Sequence, residues 1–136
     1  MAGELKFFSP EWCAAAIEVC NASERMYQGF KDPKNFTHRM EFGCTDRDLP
    51  THVEWREGQV VAWGPAQYEE SDLWLKIHAD IDTWRDVAEG KIEGGKALMA
   101  GRIKFVKGPM SAAIENGGAF NGFLAAWGDV PTDWDV

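Results

Sequence analysis

The sequence has no apolar run approaching the roughly 20 residues an α-helix needs to cross a bilayer. That excludes a helical membrane span. Positive charge is sparse. Fourteen Lys and Arg stand against 22 Asp and Glu, a net charge of −8, which argues against the basic surface that nucleic-acid binders present. Cysteine is scarce and odd in number. Cys13, Cys20 and Cys44 offer no close pair, so reduced, buried thiols are expected and not a disulfide framework. Repeats, linkers and low-complexity stretches are absent. The opening MAGELKFFSPEW has no basic-then-apolar tandem of a signal peptide, which points to the cytoplasm. The 136 residues read as one domain, 1–136, large enough for its own core.

Aromatic residues and methionine, by contrast, are abundant. Seven Trp, eight Phe and five Met imply a large, adaptable apolar interior, or one with room for a guest.

A nucleotide site must be weighed first. Gly90, four residues, then Gly95-Lys96 is the frame of a phosphate-binding P-loop. That loop needs a strand before it and Ser or Thr after the Lys to hold Mg²⁺. Ala97 stands there instead, and Trp84, Val87 and Ala88 upstream recur at helical spacing. Helix punctuation is the better reading. Gly90 and Gly101 each end a helix at positive φ.

Along the chain, Ser9-Pro10-Glu11 is a strong helix start. Trp12, Ala16, Val19, Ser23, Met26 and Phe30 follow at spacings of three and four. They predict one long amphipathic helix ending near KDPKN. NFTHRMEFG alternates, with Phe36, His38, Met40 and Phe42 on one face and Thr37, Arg39 and Glu41 on the other. HVEWREGQVVAW reads as a hairpin turning at Glu57-Gly58, and LWLKIHA as a further strand. Helices are expected over 81–89 and 94–100, then a strand RIKFV. Two more helices follow over 109–117 and 119–127, and an acidic tail closes the chain. Helix, four strands, two helices, strand, helices is an α+β order, with a largely antiparallel sheet covered on one face.

The segment IDTWRDVAEGKIEGGKALMAGRIKFVKGPMSAAI resembles the core signature of the sterol carrier protein type-2 family, the non-specific lipid-transfer fold. The matching positions are Trp84, Gly90-Lys91, Ala97-Leu98-Met99, Gly101, the RIKFVK strand and Gly108. Overall size fits a stand-alone, bacterial-type member. The resemblance implies a five-stranded sheet with helices over one side, enclosing an apolar tunnel. It also implies binding of a sterol, fatty acid or fatty acyl-CoA without a prosthetic group. Two departures stand out. Gly94-Gly95 occupy a helix start where the family often has Asp-Pro, and the chain ends Asp133-Trp134-Asp135-Val136 without a peroxisomal address.

The residues then suggest where a guest would lie. Trp84, Leu98, Met99, Phe105, Met110, Ile114, Phe120, Phe123, Leu124 and Trp127 are the candidate ligand contacts, with plain core as the alternative for each. Arg102 and Lys104 share a strand face opposite Ile103 and Phe105. They are candidates for a carboxylate, a CoA phosphate or an anionic head group, against a merely solvated face. Partners are then a lipid or acyl-CoA-like molecule and, transiently, a membrane. Monomer and dimer both remain open. An enzyme would need a base, and His78 with Asp80 at i, i+2 is the best pair. His38, His52, His78 and Cys44 match no zinc spacing. No catalysis and no cofactor are expected. The remaining alternative is an accessory module for a lipid or CoA-ester enzyme, its core closed.

Overall fold

The computed structural model describes residues 3–136. Helix α1 (Pro10–Asn21) starts as expected. The Ser9 hydroxyl accepts the Trp12 N–H at 3.2 Å, Pro10 takes the first position and Glu11 lies in the first turn. The single long helix is corrected. The chain breaks after Asn21, and α2 (Glu24–Gln28) begins anew at Ser23, whose hydroxyl accepts the Met26 N–H at 3.1 Å. Serine inside a helical pattern is also a good cap. Capping wins here because the redirected α2 packs backbone-close on α6 (Gly117–Ala126), burying Met26. A Cβ on Gly122 would stand 2.8 Å from the Met26 nitrogen, so only glycine permits that approach.

Five strands form the main sheet: β2 (Arg39–Cys44), β3 (Thr51–Arg56), β4 (Gln59–Pro65), β5 (Leu75–Ala79) and β6 (Ile103–Lys107). Their order is β4-β3-β2-β5-β6. Only β2 and β5 pair in parallel, and the other neighbours are antiparallel. Asn21 at the end of α1 blunts the β4 edge by exchanging two 2.8 Å bonds with the Val60 backbone. A short parallel pair, β1 (Leu5–Lys6) with β7 (Thr132–Asp133), ties the acidic tail back to the start of the chain. The sequence reading shows neither strand, because two-residue strands carry no alternation.

Helices α3 (Ile81–Ala88), α4 (Gly94–Met99), α5 (Ser111–Glu115) and α6 complete the set. Asp80 caps α3, its carboxylate accepting the Thr83 N–H at 2.8 Å, and this bonding holds Asp80 below the usual carboxylate range. The residue paired with His78 in the enzyme reading is therefore spent as a helix cap.

Period-two alternation sorts the sheet into two faces. Phe42, Val53, Ile77 and Ile103 turn to the helices and are buried. Trp12, Trp84 and Trp127, all fully buried, gather beneath them. Trp127 lies 5.4 Å from Trp12 and 5.2 Å from Trp84, centre to centre. Cys13, Cys20 and Cys44 are buried as free thiols. Burial pushes Cys13 and Cys44 up to about 12 and Cys20 upward as well, so they stay protonated and unreactive.

The opposite face carries a buried polar network centred on Glu41, 7% exposed. One carboxylate oxygen meets His52 Nε2 at 3.1 Å, and the other meets His78 Nε2 at 2.6 Å. Lys76 Nζ lies 3.9 Å away. His52 Nδ1 accepts the backbone N–H groups of both Gln67 and Tyr68 at 3.0 Å. Its proton therefore sits on Nε2 and points to Glu41. His52 is thus a clasp between the sheet and the β4–β5 loop. Burial alone would raise the Glu41 pKa. Hydrogen bonds from His78 and His52, with the charges of Lys76 and His78, outweigh that and hold it below the usual range.

Gly101 has φ +80°, with open space where a Cβ would stand, whereas a Cβ on Gly108 (φ +91°) would overlap Leu75 and lie 2.8 Å from the Trp74 carbonyl oxygen. Gly101→Val should cost about 1–2 kcal/mol through backbone strain alone, and Gly108→Ala should cost more. Urea unfolding measures both, and equal stability of the parent and Gly101→Val would contradict the left-handed assignment. For Glu41, the depressed pKa means its stabilisation is present above the unfolded carboxylate pKa and is lost as pH falls through the folded one. Glu41→Gln should melt below the parent at pH 7, with the gap closing below about pH 4. A gap independent of pH would show that the charge contributes nothing.

Candidate functional site

Between the helix-facing side of the sheet and α5–α6 lies a narrow apolar slot. The sheet supplies Met40, Phe42, Trp55, Leu75 and Ile77 as its floor. Phe30 and Phe36, from the loops before β2, close one side together with Trp74. Ala112 and Ala113 of α5 and Ala119, Phe120 and Phe123 of α6 form the roof. Alanines in the roof are what leave the space, since larger side chains there would reach the floor. Asn116 is the one polar residue in the wall. Its amide is already engaged, accepting the Lys31 N–H at 3.0 Å and donating to the Ala112 carbonyl at 2.9 Å.

The slot is tight. Its cavity volume is ≈ 40 Å³, room for a few water-sized molecules at most. Trp55 and Trp74 also belong to a second depression, an open groove of ≈ 480 Å³ lined by Thr37, His38, Arg39, Glu54, Ser71, Asp72 and Leu73. The groove is polar where the slot is apolar. His38 stacks on Trp74 with ring centres 3.8 Å apart, and burial lowers its pKa, favouring the neutral ring. Arg39 lies over the Tyr68 ring at 4.4 Å and 3.9 Å from Glu54. The loop clasped by His52 thus places Tyr68 against Arg39 and Glu54 of the groove. The two depressions share an aromatic boundary.

The sequence candidates separate into four groups. Phe120 and Phe123 line the slot. Trp84, Leu98, Leu124 and Trp127 are buried in the packed core and do not line it. Trp84 donates its indole N–H to the Gly43 carbonyl at 2.9 Å, and Leu124 packs against Gly94. Phe105 is half-buried on the edge strand β6. Met99, Met110 and Ile114 stand in solvent, Met99 at 75% and Ile114 at 62% exposure. The two proposed head-group cations lie away from the slot. Arg102 bonds Asp86 at 2.9 Å and Thr83 at 3.1 Å, while Lys104 sits on the open sheet face opposite His78 and reaches the Gly101 carbonyl.

Half of the wall comes from residues that the sequence pattern marks only as ordinary strand. The signal was available in the alternation Phe36, Met40, Phe42 and in Trp55 and Trp74. Nothing in one strand's pattern, however, says which stretch of its buried face the helices fail to fill. Among the described residues, no three His, Cys, Asp or Glu side chains are placed to hold a metal ion, and no helix is long and apolar enough to cross a membrane.

No curated protein matches this sequence. Solved structures do resemble the fold. A crystal structure of sterol carrier protein 2 is 20% identical with a TM-score of 0.77, covering 92% of this chain and 99% of that one. A solution structure of a conserved hypothetical protein from Thermus thermophilus, described as possibly a sterol carrier protein, is 19% identical with a TM-score of 0.76, covering 97% and 94%. A ubiquinone synthesis protein, UbiJ-SCP2, is 10% identical with a TM-score of 0.57, covering 89% and 96%. At these identities the likeness is one of fold. The family model for the SCP-2 sterol transfer family matches residues 28–121, well over half of the chain and nearly all of the slot's wall, and this chain belongs to that family.

Proposed function

We propose that this protein binds an apolar or amphipathic lipid without catalysis, the chain of the lipid lying in the slot and its polar end in the adjoining groove. One observation carries the reading: an aromatic-walled apolar slot meets a polar groove at Trp55 and Trp74. A fatty acid, a fatty acyl-CoA or a sterol-like molecule has that division of character. Each buried CH₂ contributes about 0.8 kcal/mol. A long chain therefore gains on the order of 10 kcal/mol gross, less the costs of association and ordering. No reacting group is required.

The ≈ 40 Å³ of the slot is far below the roughly 300–1,000 Å³ of ordinary ligand pockets. Binding therefore requires the roof to lift. Helix α5 suits this. It has five residues, lies between Gly108 and the Gly117-Gly118 pair, and carries exposed Ile114, with exposed Met110 at its cap. Those two side chains also give a transient membrane contact a place to form. Arg39 and His38, lining the groove, replace Arg102 and Lys104 as the groups nearest a head group. The same small volume favours a second reading, an accessory module whose slot is closed by its own side chains.

Filling the roof distinguishes the two. A fluorescent long-chain fatty acid should bind the parent at about one per chain. Ala113→Phe, placed in the slot, should weaken it at least tenfold, about 1.4 kcal/mol. Ala125→Phe, on the exposed side of α6, should leave it unchanged. Circular dichroism must show native folds for both. A parent that binds no long-chain lipid at micromolar concentration would leave the accessory module as the better reading.

A further inference from the structure

Five tryptophans are essentially buried, and their indole N–H groups are not treated alike. Trp12 donates to Thr132 Oγ1 at 2.9 Å, Trp63 to Thr51 Oγ1 at 3.0 Å and Trp84 to the Gly43 carbonyl at 2.9 Å. Trp55 and Trp127 have no acceptor among the described residues. A buried donor left unpaired costs about 1–3 kcal/mol, so each needs an explanation. Trp127 is packed edge-to-face among Trp12, Phe8 and Phe123, away from both slot and groove. Trp55 is different. It is 3% exposed, yet it is a wall residue of both the slot and the groove. It also stands at the one irregularity in the β3–β4 register, between Glu54 and Trp55. The extra residue is Val61 of β4, opposite the Glu54–Trp55 step, and bulges recur beside binding sites.

We propose that the Trp55 indole N–H is a recognition group, donating a hydrogen bond to an oxygen of the guest where its chain leaves the slot. This rests on the carrier reading above and narrows it. The site selects chains that carry an acceptor oxygen at one end, a carboxylate or an ester or thioester carbonyl, over chains with a non-accepting end. The bond satisfies a donor that is otherwise buried and unpaired. It also fixes how far the chain enters, because the acceptor must lie at the junction while the methylenes fill the space under Phe123.

The test uses two soluble chains of equal length: dodecanoate, which accepts hydrogen bonds, and dodecylamine, which when protonated does not. Trp55→Phe keeps an aromatic ring but removes the donor. Dodecanoate affinity should fall about tenfold, as for loss of a bond to a charged acceptor, while dodecylamine affinity should change by no more than about the packing loss both chains share. The parent gives an independent reading even if the variant fails to fold. In ¹⁵N-tryptophan-labelled protein, the Trp55 indole signal, assigned through its neighbours Phe30 and Phe36, should move downfield on adding dodecanoate and exchange its proton more slowly. Equal losses for both chains, with that signal unmoved, would overturn the assignment. The N–H would then be satisfied by the surrounding rings, and the carrier reading would stand. If neither chain binds the parent, the carrier reading falls and the role of Trp55 falls with it.

Discussion

Phe123 is the contact on which the two halves of this interior depend. Its ring lies 5.0 Å from Trp55, 5.4 Å from both Trp63 and Phe42, and 5.6 Å from Trp127. On one side is the packed tryptophan cluster; on the other is the slot. The sheet's apolar face must be covered, and α6 is its main cover in this region. Gly122 against Met26 and Gly118 against Gly29 let α6 lie close to α2, large rings fill the space beneath its C-terminal end, and Ala119 with the two α5 alanines leaves the space beside its N-terminal end unfilled. Helix α6 thus seals one part of the face and, with α5, roofs the other. Close packing makes the sealed part stiff. The short α5, which supplies Ala112 and Ala113 to the roof, is the part that the proposed binding requires to move.

The two faces of the sheet do different work but are joined through one loop. Glu41 is buried on the face away from the helices, and its two histidines satisfy it. His52 passes that constraint to the backbone of Gln67 and Tyr68. Tyr68 donates its hydroxyl to Glu54 at 2.8 Å and underlies Arg39, two residues of the groove. The polar network therefore holds groove residues in place without lining the slot. This also accounts for a histidine and carboxylate set that looks chemical in the sequence. Asp80 is a cap, His78 is the second partner of Glu41, and His52 is a clasp.

Much of the fold was legible because local signals were strong. Ser9-Pro10 marks a helix start, Glu57-Gly58 marks the hairpin, and the alternation through Met40–Phe42 and Leu75–Ile77 marks the two central strands. The family was legible from combined spacings between Trp84 and Gly108. The break at Ser23 was not, because a serine at a buried-face spacing fits a continuous helix equally well, and only the glycine contacts with α6 decide against it. The β1–β7 pair was not, because it joins segments more than 120 residues apart with two residues each. The site was least legible. Apolar spacing identifies which residues are buried, and a slot is a place where buried residues fail to meet. Phe123 and Leu124 are neighbours on α6 with similar character, yet one lines the slot and the other packs on Gly94.

A crystal structure grown with excess long-chain fatty acid tests the central claim most directly. Electron density for an acyl chain is expected beneath Ala113 and Phe123, with α5 displaced outward, the cavity enlarged well beyond ≈ 40 Å³ and the carboxylate beside Trp55. A slot that stays closed and empty, with the fatty acid bound elsewhere or absent, would contradict it.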